Sequence, residues 1–181
     1  MISLLRGVNV GGHNRIKMDS LRTLYASLKL LDARTHVQSG NVIFRTEDPN
    51  LGHVTRRIED GIERSFGFRP RVIARTVSEL RDVVARNPFA ARRDIEPSKL
   101  LVLFLAGEPD AAVREKVRAI AGDPEELRIE GRELYIHFPN GMARPKLSPA
   151  LIERTLKIPG TGRNWNSVTK LLEIAEKLEA S

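Results

Sequence analysis

The densest polar chemistry in the chain lies at Arg163-Asn164-Trp165-Asn166, followed by Thr169 and Lys170. This stretch joins the sequence's only tryptophan to two cations and three hydrogen-bonding side chains. Positions 166, 169 and 170 share one face of a helix under the three- and four-residue spacing rule. An arginine fork, a lysine point charge and an aromatic wall together suit an anionic group attached to an apolar body. A helix cap from Asn164 or Asn166 and a hydrophobic staple from Trp165 explain part of the pattern, but they leave Arg163 and Lys170 unexplained.

Other motifs were tested against the chemistry they would need. The loop Gly7-Val8-Asn9-Val10-Gly11-Gly12 follows an expected strand and precedes an expected helix, a context in which backbone N–H groups bind phosphate. Its spacing is neither GxGxxG nor GxxxxGK[ST], and Gly160-Thr161-Gly162-Arg163, read as a loop, shares that weakness. Tight turns requiring positive φ account for these glycines equally well. Ser39 has no GxSxG elbow around it, so turn chemistry at Ser39-Gly40 is preferred over a nucleophile. His13, His36, His53 and His137 show no zinc spacing, and the absence of cysteine removes thiolate ligands, thiol nucleophiles and disulfides. No metal site and no cofactor are predicted. Phe44 alternates with Val42 as a core residue would, and it is the only aromatic on the first sheet's central strands, so base stacking of the usual RNA-binding kind is not expected.

The elements that must position these residues read as two packed α+β subdomains. In residues 1–76 the order is β-α-β-β-α-β, with strands at Ile2–Arg6, Ala33–Gln38, Asn41–Arg45 and Arg69–Thr76. A helix from Lys17 carries Met18, Leu21, Leu28 and Leu31 at helical spacing, and a second stacks Val54, Ile58, Ile62 and Phe66. This order is that of the ferredoxin-like split βαβ sandwich. Residues 77–181 repeat the rhythm in part. They contain a helix at Ser78–Arg86 with Ser78 as cap, an apolar strand at Leu100–Leu105, a helix at Pro109–Ala121 and a hairpin around Gly131-Arg132. Two closing helices follow at Ser148–Leu156 and Asn166–Glu179. No fourth strand is apparent, so the second subdomain is expected to be an incomplete or variant version of the first.

Composition narrows the class further. Hydrophobic residues at 41% and charged residues at 29% describe a globular chain. No apolar run reaches the roughly 18–20 residues of a membrane helix. The run Ile2–Leu5 stops at Arg6, short of a secretory signal core of about 7–15 residues. A cytoplasmic protein with no membrane partner is therefore expected. The net charge of +7 is uneven: residues 1–45 carry seven Lys/Arg against two Asp/Glu, and residues 141–181 seven against four. A clustered surplus attracts phosphate-bearing partners, although a solvated Arg-rich surface gives the same total.

Leu4-Leu5-Arg6-Gly7-Val8-Asn9-Val10-Gly11-Gly12, Lys17-Met18, Gln38-Ser39-Gly40-Asn41-Val42, Asn87-Pro88-Phe89 and Arg163-Asn164-Trp165-Asn166 together resemble a bacterial family, domain of unknown function 1697. The resemblance spans essentially the whole chain and implies two α+β subdomains, the first ferredoxin-like, with no implied activity. Members of that family commonly carry Ser-Lys-Leu where this chain has Pro145-Lys146-Leu147.

The expectation is one basic, amide-lined cleft between the subdomains that binds an anionic small molecule, nucleotide or nucleic acid. Its residues would be Arg6, Asn9, Lys17, Gln38, Ser39, Asn41, Lys146, Arg163, Asn164, Trp165, Asn166 and Lys170. An enzyme acting on a phosphorylated or carboxylated substrate, and a purely structural role for the motifs, remain as alternatives. The sequence does not specify an oligomeric state.

Overall fold

The computed structural model describes all residues, 1–181. Its first repeat runs β1 (Ile2–Leu5), α1 (Met18–Ser27), β2 (Leu31–His36), β3 (Asn41–Arg45), α2 (Leu51–Phe66) and β4 (Val72–Arg75). These strands form an antiparallel sheet in the order β2-β3-β1-β4. After α3 (Val77–Ala85) the second repeat runs β5 (Leu100–Leu105), α4 (Ala111–Ile120), β6 (Glu126–Glu130), β7 (Glu133–His137), α5 (Pro149–Leu156) and β8 (Gly160–Asn164). Its sheet order, β6-β7-β5-β8, is that of the first. The chain closes with α6 (Trp165–Glu179). No helix is long and apolar enough to cross a membrane.

The second repeat is thus complete, and Gly160–Asn164, expected as a loop, is its fourth strand. The two repeats also agree in register. Ile2 of β1 sits opposite Arg75 of β4, and Val102 of β5 sits opposite Arg163 of β8. Leu5 donates to Gly40 O and Leu105 to Arg132 O, both at 2.9 Å. The two arginines are both buried, and each donates from Nη1 to the carbonyl of the residue before it.

Local sequence sets most of the element ends. Asn50 caps α2 by accepting from His53 N–H at 2.9 Å, and Gly67 ends that helix in the left-handed region. Ser148 caps α5, with Pro149 at its first position. The cap of α3 is Thr76, not Ser78. Thr76 Oγ1 accepts from Glu79 N–H and Glu79 Oε2 accepts from Thr76 N–H, a reciprocal capping box that draws the helix start back to Val77. The first hairpin turn is also longer than the Ser39-Gly40 pair. His36 pairs with Asn41, leaving four residues, 37–40, to reverse the chain.

The chain divides into two compact units, Met1–Arg81 with Lys170–Ser181, and Asp82–Thr169. The final part of α6, expected in the second subdomain, therefore belongs to the first unit. In that unit Val54, Ile58 and Ile62 of α2 and Leu21, Leu24 and Tyr25 of α1 pack with Leu5, Val42, Phe44 and Val72 of the sheet. Tyr25 meets Phe44 edge-on at 5.4 Å and pairs its hydroxyl with Ser3 Oγ at 2.7 Å. On the other face of the same sheet Ile2, Leu4, Ile43 and Ile73 are buried too. With both faces covered, apolar residues occupy successive positions of the inner strands, at Leu4-Leu5 and Val42-Ile43-Phe44, instead of alternating. In the second unit Leu103, Leu105, Ile129, Leu134 and Ile136 pack with Val117 of α4 and Ile152 of α5.

Gly40 ties this core to the loops. Its φ is +77°, and a Cβ there would lie 2.7 Å from Leu5 Cβ. Gly40→Ala is expected to destabilise the fold by about 2–4 kcal/mol, from left-handed strain plus overpacking. Urea unfolding should show a lower midpoint at unchanged slope.

Candidate functional site

The segment after β1 is a knot of short-range bonds organised by Asn9. Asn9 sits at φ +56°, and its Oδ1 accepts from Ile16 N–H at 2.9 Å. Its Nδ2 donates to Ile16 O at 3.0 Å and to Gln38 O at 2.8 Å. One carboxamide thereby closes the loop and fastens it to the β2–β3 turn. Within the loop Val10 and His13 form an isolated bridge, with Gly11 and Gly12 at φ +57° and +81° between them. Two successive positive φ angles make a two-residue hairpin turn, the reason for this glycine pair.

This knot frames a cavity of about 820 Å³ lined by Asn9, Gly12, Arg15, Lys17, Asp19 and Gln38, among others. Arg15 is held by Nε–H to Gly12 O at 3.2 Å, and neither it nor Lys17 has a carboxylate partner. Lys17 occupies the N-cap position of α1, where no side chain caps the helix. Asp19 is engaged by Arg22. The Gln38 carboxamide makes no hydrogen bond and is exposed.

Of the sequence-predicted residues, Arg6, Asn9, Lys17, Gln38, Ser39, Asn41 and Lys170 belong to the first unit. The cavity gathers three of them: Asn9, Lys17 and Gln38. Asn41 is fully buried and donates to His36 O and to Ser39 Oγ, which makes it a fastener of the turn. Arg6 is half-buried at the end of β1, its N–H donating to Arg71 O. Lys170 is bound to Glu173 at 2.8 Å, and Lys177 holds the other oxygen at 2.7 Å. Together these two lysines draw the Glu173 carboxyl down to about 2. Burial, with Lys170 contributing, lowers the pKa of His36.

In the second unit Lys146 and Leu147 donate their N–H groups to the buried Glu125 carboxylate at 3.0 and 3.3 Å, and Lys146 Nζ reaches Asp123 O. That segment is anchored through its backbone. Arg163 is buried in β8 with Nη1 donating to Thr161 Oγ1 and Gly162 O, both at 2.8 Å, and desolvation lowers its pKa to about 10. Asn164 accepts from Ser167 N–H and caps α6, while Asn166 is exposed. Trp165, half-buried, lines a cavity of about 390 Å³ with Asn87 and Phe89. Phe89 has the Arg128 guanidinium 5.7 Å over its ring and the His137 ring 6.3 Å away. Arg92, on the wall of the same cavity, is forked onto Asp94 and Glu126. No group of three or more His, Asp or Glu side chains is assembled to hold a metal ion.

The first cavity's decisive residue, Arg15, is absent from the sequence-predicted set. The signal was present as Arg15-Ile16-Lys17 at a helix start, where two cations flank a buried isoleucine. Asn87 and Phe89 were recognisable only as part of a family motif.

Asn9→Ala is expected to cost about 1–3 kcal/mol by leaving loop groups unpaired, with amide exchange at Ile16 rising more than exchange in the α2 core. The Asp94 carboxyl is pulled from its ordinary 3.8 to about 2, chiefly by its hydrogen bonds with Arg92. A depressed carboxylate pKa stabilises the fold above the ordinary value, and the contribution disappears as pH falls through the folded value. Side-chain carboxyl NMR of Arg92→Ala should therefore find Asp94 titrating back near 3.8.

No curated protein matches the chain. A solved structure of a conserved bacterial protein from Streptococcus pneumoniae is similar over 96% of this chain and 97% of its own, with a TM-score of 0.72 and 22% identity. That likeness concerns the fold. The model of the family described as "Protein of unknown function (DUF1697)" matches residues 1–135, and the chain belongs to that family.

Proposed function

We propose that the cavity behind the Gly7–Ile16 loop binds a small anionic ligand bearing phosphate or carboxylate. The observation that carries this reading is the pair Arg15 and Lys17, two cations without carboxylate partners on one cavity of about 820 Å³. The uncapped start of α1 adds oriented N–H groups and the positive end of the helix dipole to the same wall. Arg15 supplies a planar donor pair, Lys17 a compact charge and the free Gln38 amide a directional contact. Asn9 acts by holding the loop, since its own amide is fully used inside the protein. The lining contains no Ser, Thr, Tyr or His, and its one carboxylate, Asp19, is engaged by Arg22, so binding is favoured over an acyl- or phosphoryl-transfer reaction at this wall.

Calorimetric titration with inorganic pyrophosphate, nucleoside phosphates, small dicarboxylates and a short RNA tests the reading. Lys17→Gln and Arg15→Gln should each weaken the binding member about 10–100-fold, the worth of one charged hydrogen bond. A steep loss between about 50 and 200 mM salt would identify a polyanion, and a shallow one a metabolite. Saturable binding that neither variant alters, or no binding by any of these anions, would overturn the proposal.

A further inference from the structure

A second cavity lies in the other compact unit. Two stretches distant in sequence build it: residues 84–100, from the end of α3 through Asn87, Phe89 and Ile95 to the start of β5, and the start of α6 with Trp165 and Thr169. Its volume of about 390 Å³ lies in the range of small-molecule pockets. Phe89, Ile95, Pro97, Leu100 and Trp165 give it apolar walls.

Asn87, Arg92 and Thr169 are the polar side chains of the lining, and the Thr169 hydroxyl is spent on Trp165 O and Asn166 O. Arg92 is already saturated: Nε and Nη2 bind Asp94 at 2.8 and 2.6 Å, and Nη1 binds both oxygens of Glu126 at 3.0 and 3.1 Å. Its charge is cancelled, and the two carboxylates beside it would repel an anion. Asn87 is half committed. Its Oδ1 accepts from Phe89 N–H at 3.0 Å, an Asx turn that fixes which way the carboxamide faces. Its Nδ2 has no partner within the protein, leaving a pre-oriented donor beside an aromatic wall.

We infer that this cavity is a binding site for an uncharged planar heterocycle carrying a carbonyl or carboxamide oxygen, with the ring against the half-buried Trp165 and the oxygen accepting from Asn87 Nδ2. Flat rings gain most from aromatic walls, and an oriented donor favours a ring that offers it an acceptor. The site is independent of the anion cavity and stands if that reading fails.

Trp165 is the sole tryptophan, so its indole N–H gives one resonance that reports on the cavity directly. The full-length protein would be titrated with nicotinamide, uracil, benzoate and indole. Nicotinamide or uracil should shift that resonance saturably, with benzoate and indole about tenfold weaker. Asn87→Asp retains the oxygen that holds Phe89 N–H and removes the donor, and it should weaken the neutral ligand about tenfold. The comparison of nicotinamide with indole, which offers no acceptor, tests the same donor without any variant, and benzoate tests the repulsion by Asp94 and Glu126. No saturable shift from either neutral ring, or equal binding of benzoate, would overturn the inference. So would a folded Asn87→Asp protein with unchanged affinity.

Discussion

A central strand buried on both faces can satisfy its backbone only through the strands on either side. β1 and β5 are such strands, each paired antiparallel on both edges. An unpaired amide there would cost as much as a lost hydrogen bond with no water to replace it. The ladders continue past the strand ends, where Leu5 and Arg6 donate to Gly40 and Arg71. That last pairing fixes where the Gly7–Ile16 loop leaves the sheet and how close it comes to the β2–β3 turn. Asn9 completes the arrangement because its amide reaches both segments. The position of Arg15 and Lys17 is therefore a consequence of strand pairing several residues upstream.

The charge surplus takes on meaning once each cation is asked what it touches. Lys170, Arg92 and Arg69 are all engaged by carboxylates, Arg69 by three of them. These side chains contribute to net charge and local order and leave little field for a ligand. Arg163 is a different case: it lies in β8, where burial and backbone acceptors govern its surroundings. Arg15 and Lys17 lack such commitments, and both stand exposed at the cavity. One cavity offers unpaired positive charge, and the other sets the half-buried Trp165 beside the unpartnered Asn87 amide.

Several family motif residues serve construction. Asn41 ties the hairpin turn, Asn164 caps α6, and the backbone at Lys146-Leu147 hangs on the buried Glu125 carboxylate. Pro145 in the place of the usual serine precedes that anchor. Both Lys146 and Leu147 donate through backbone N–H, so the anchor needs no hydroxyl at position 145.

The sequence by itself determined the ferredoxin-like order of the first repeat, because α2 shows clean four-residue spacing and its strands carry apolar runs between turn residues. It also determined the hairpin at Gly131-Arg132 and narrowed the cap of α6 to Asn164 or Asn166, since capping depends on one side chain and its local backbone. Strand β8 was illegible. Gly-Thr-Gly-Arg-Asn has no apolar alternation, and its glycines are there so that Leu101, Leu103 and Leu105 can approach to 3.1–3.3 Å of where a Cβ would stand. That requirement exists only once β5 is alongside. The same holds for the sites. Residue types marked Lys17, Gln38 and Trp165 as able to bind something, but whether a cation is free or paired is a property of what the fold brings beside it. Only the tertiary structure decided that Lys170 is spent on Glu173 while Arg15 is open, and that Asn87 lies across a cavity from Trp165. Those relations join residues far apart in the chain, and their energies depend on separations that no local pattern encodes.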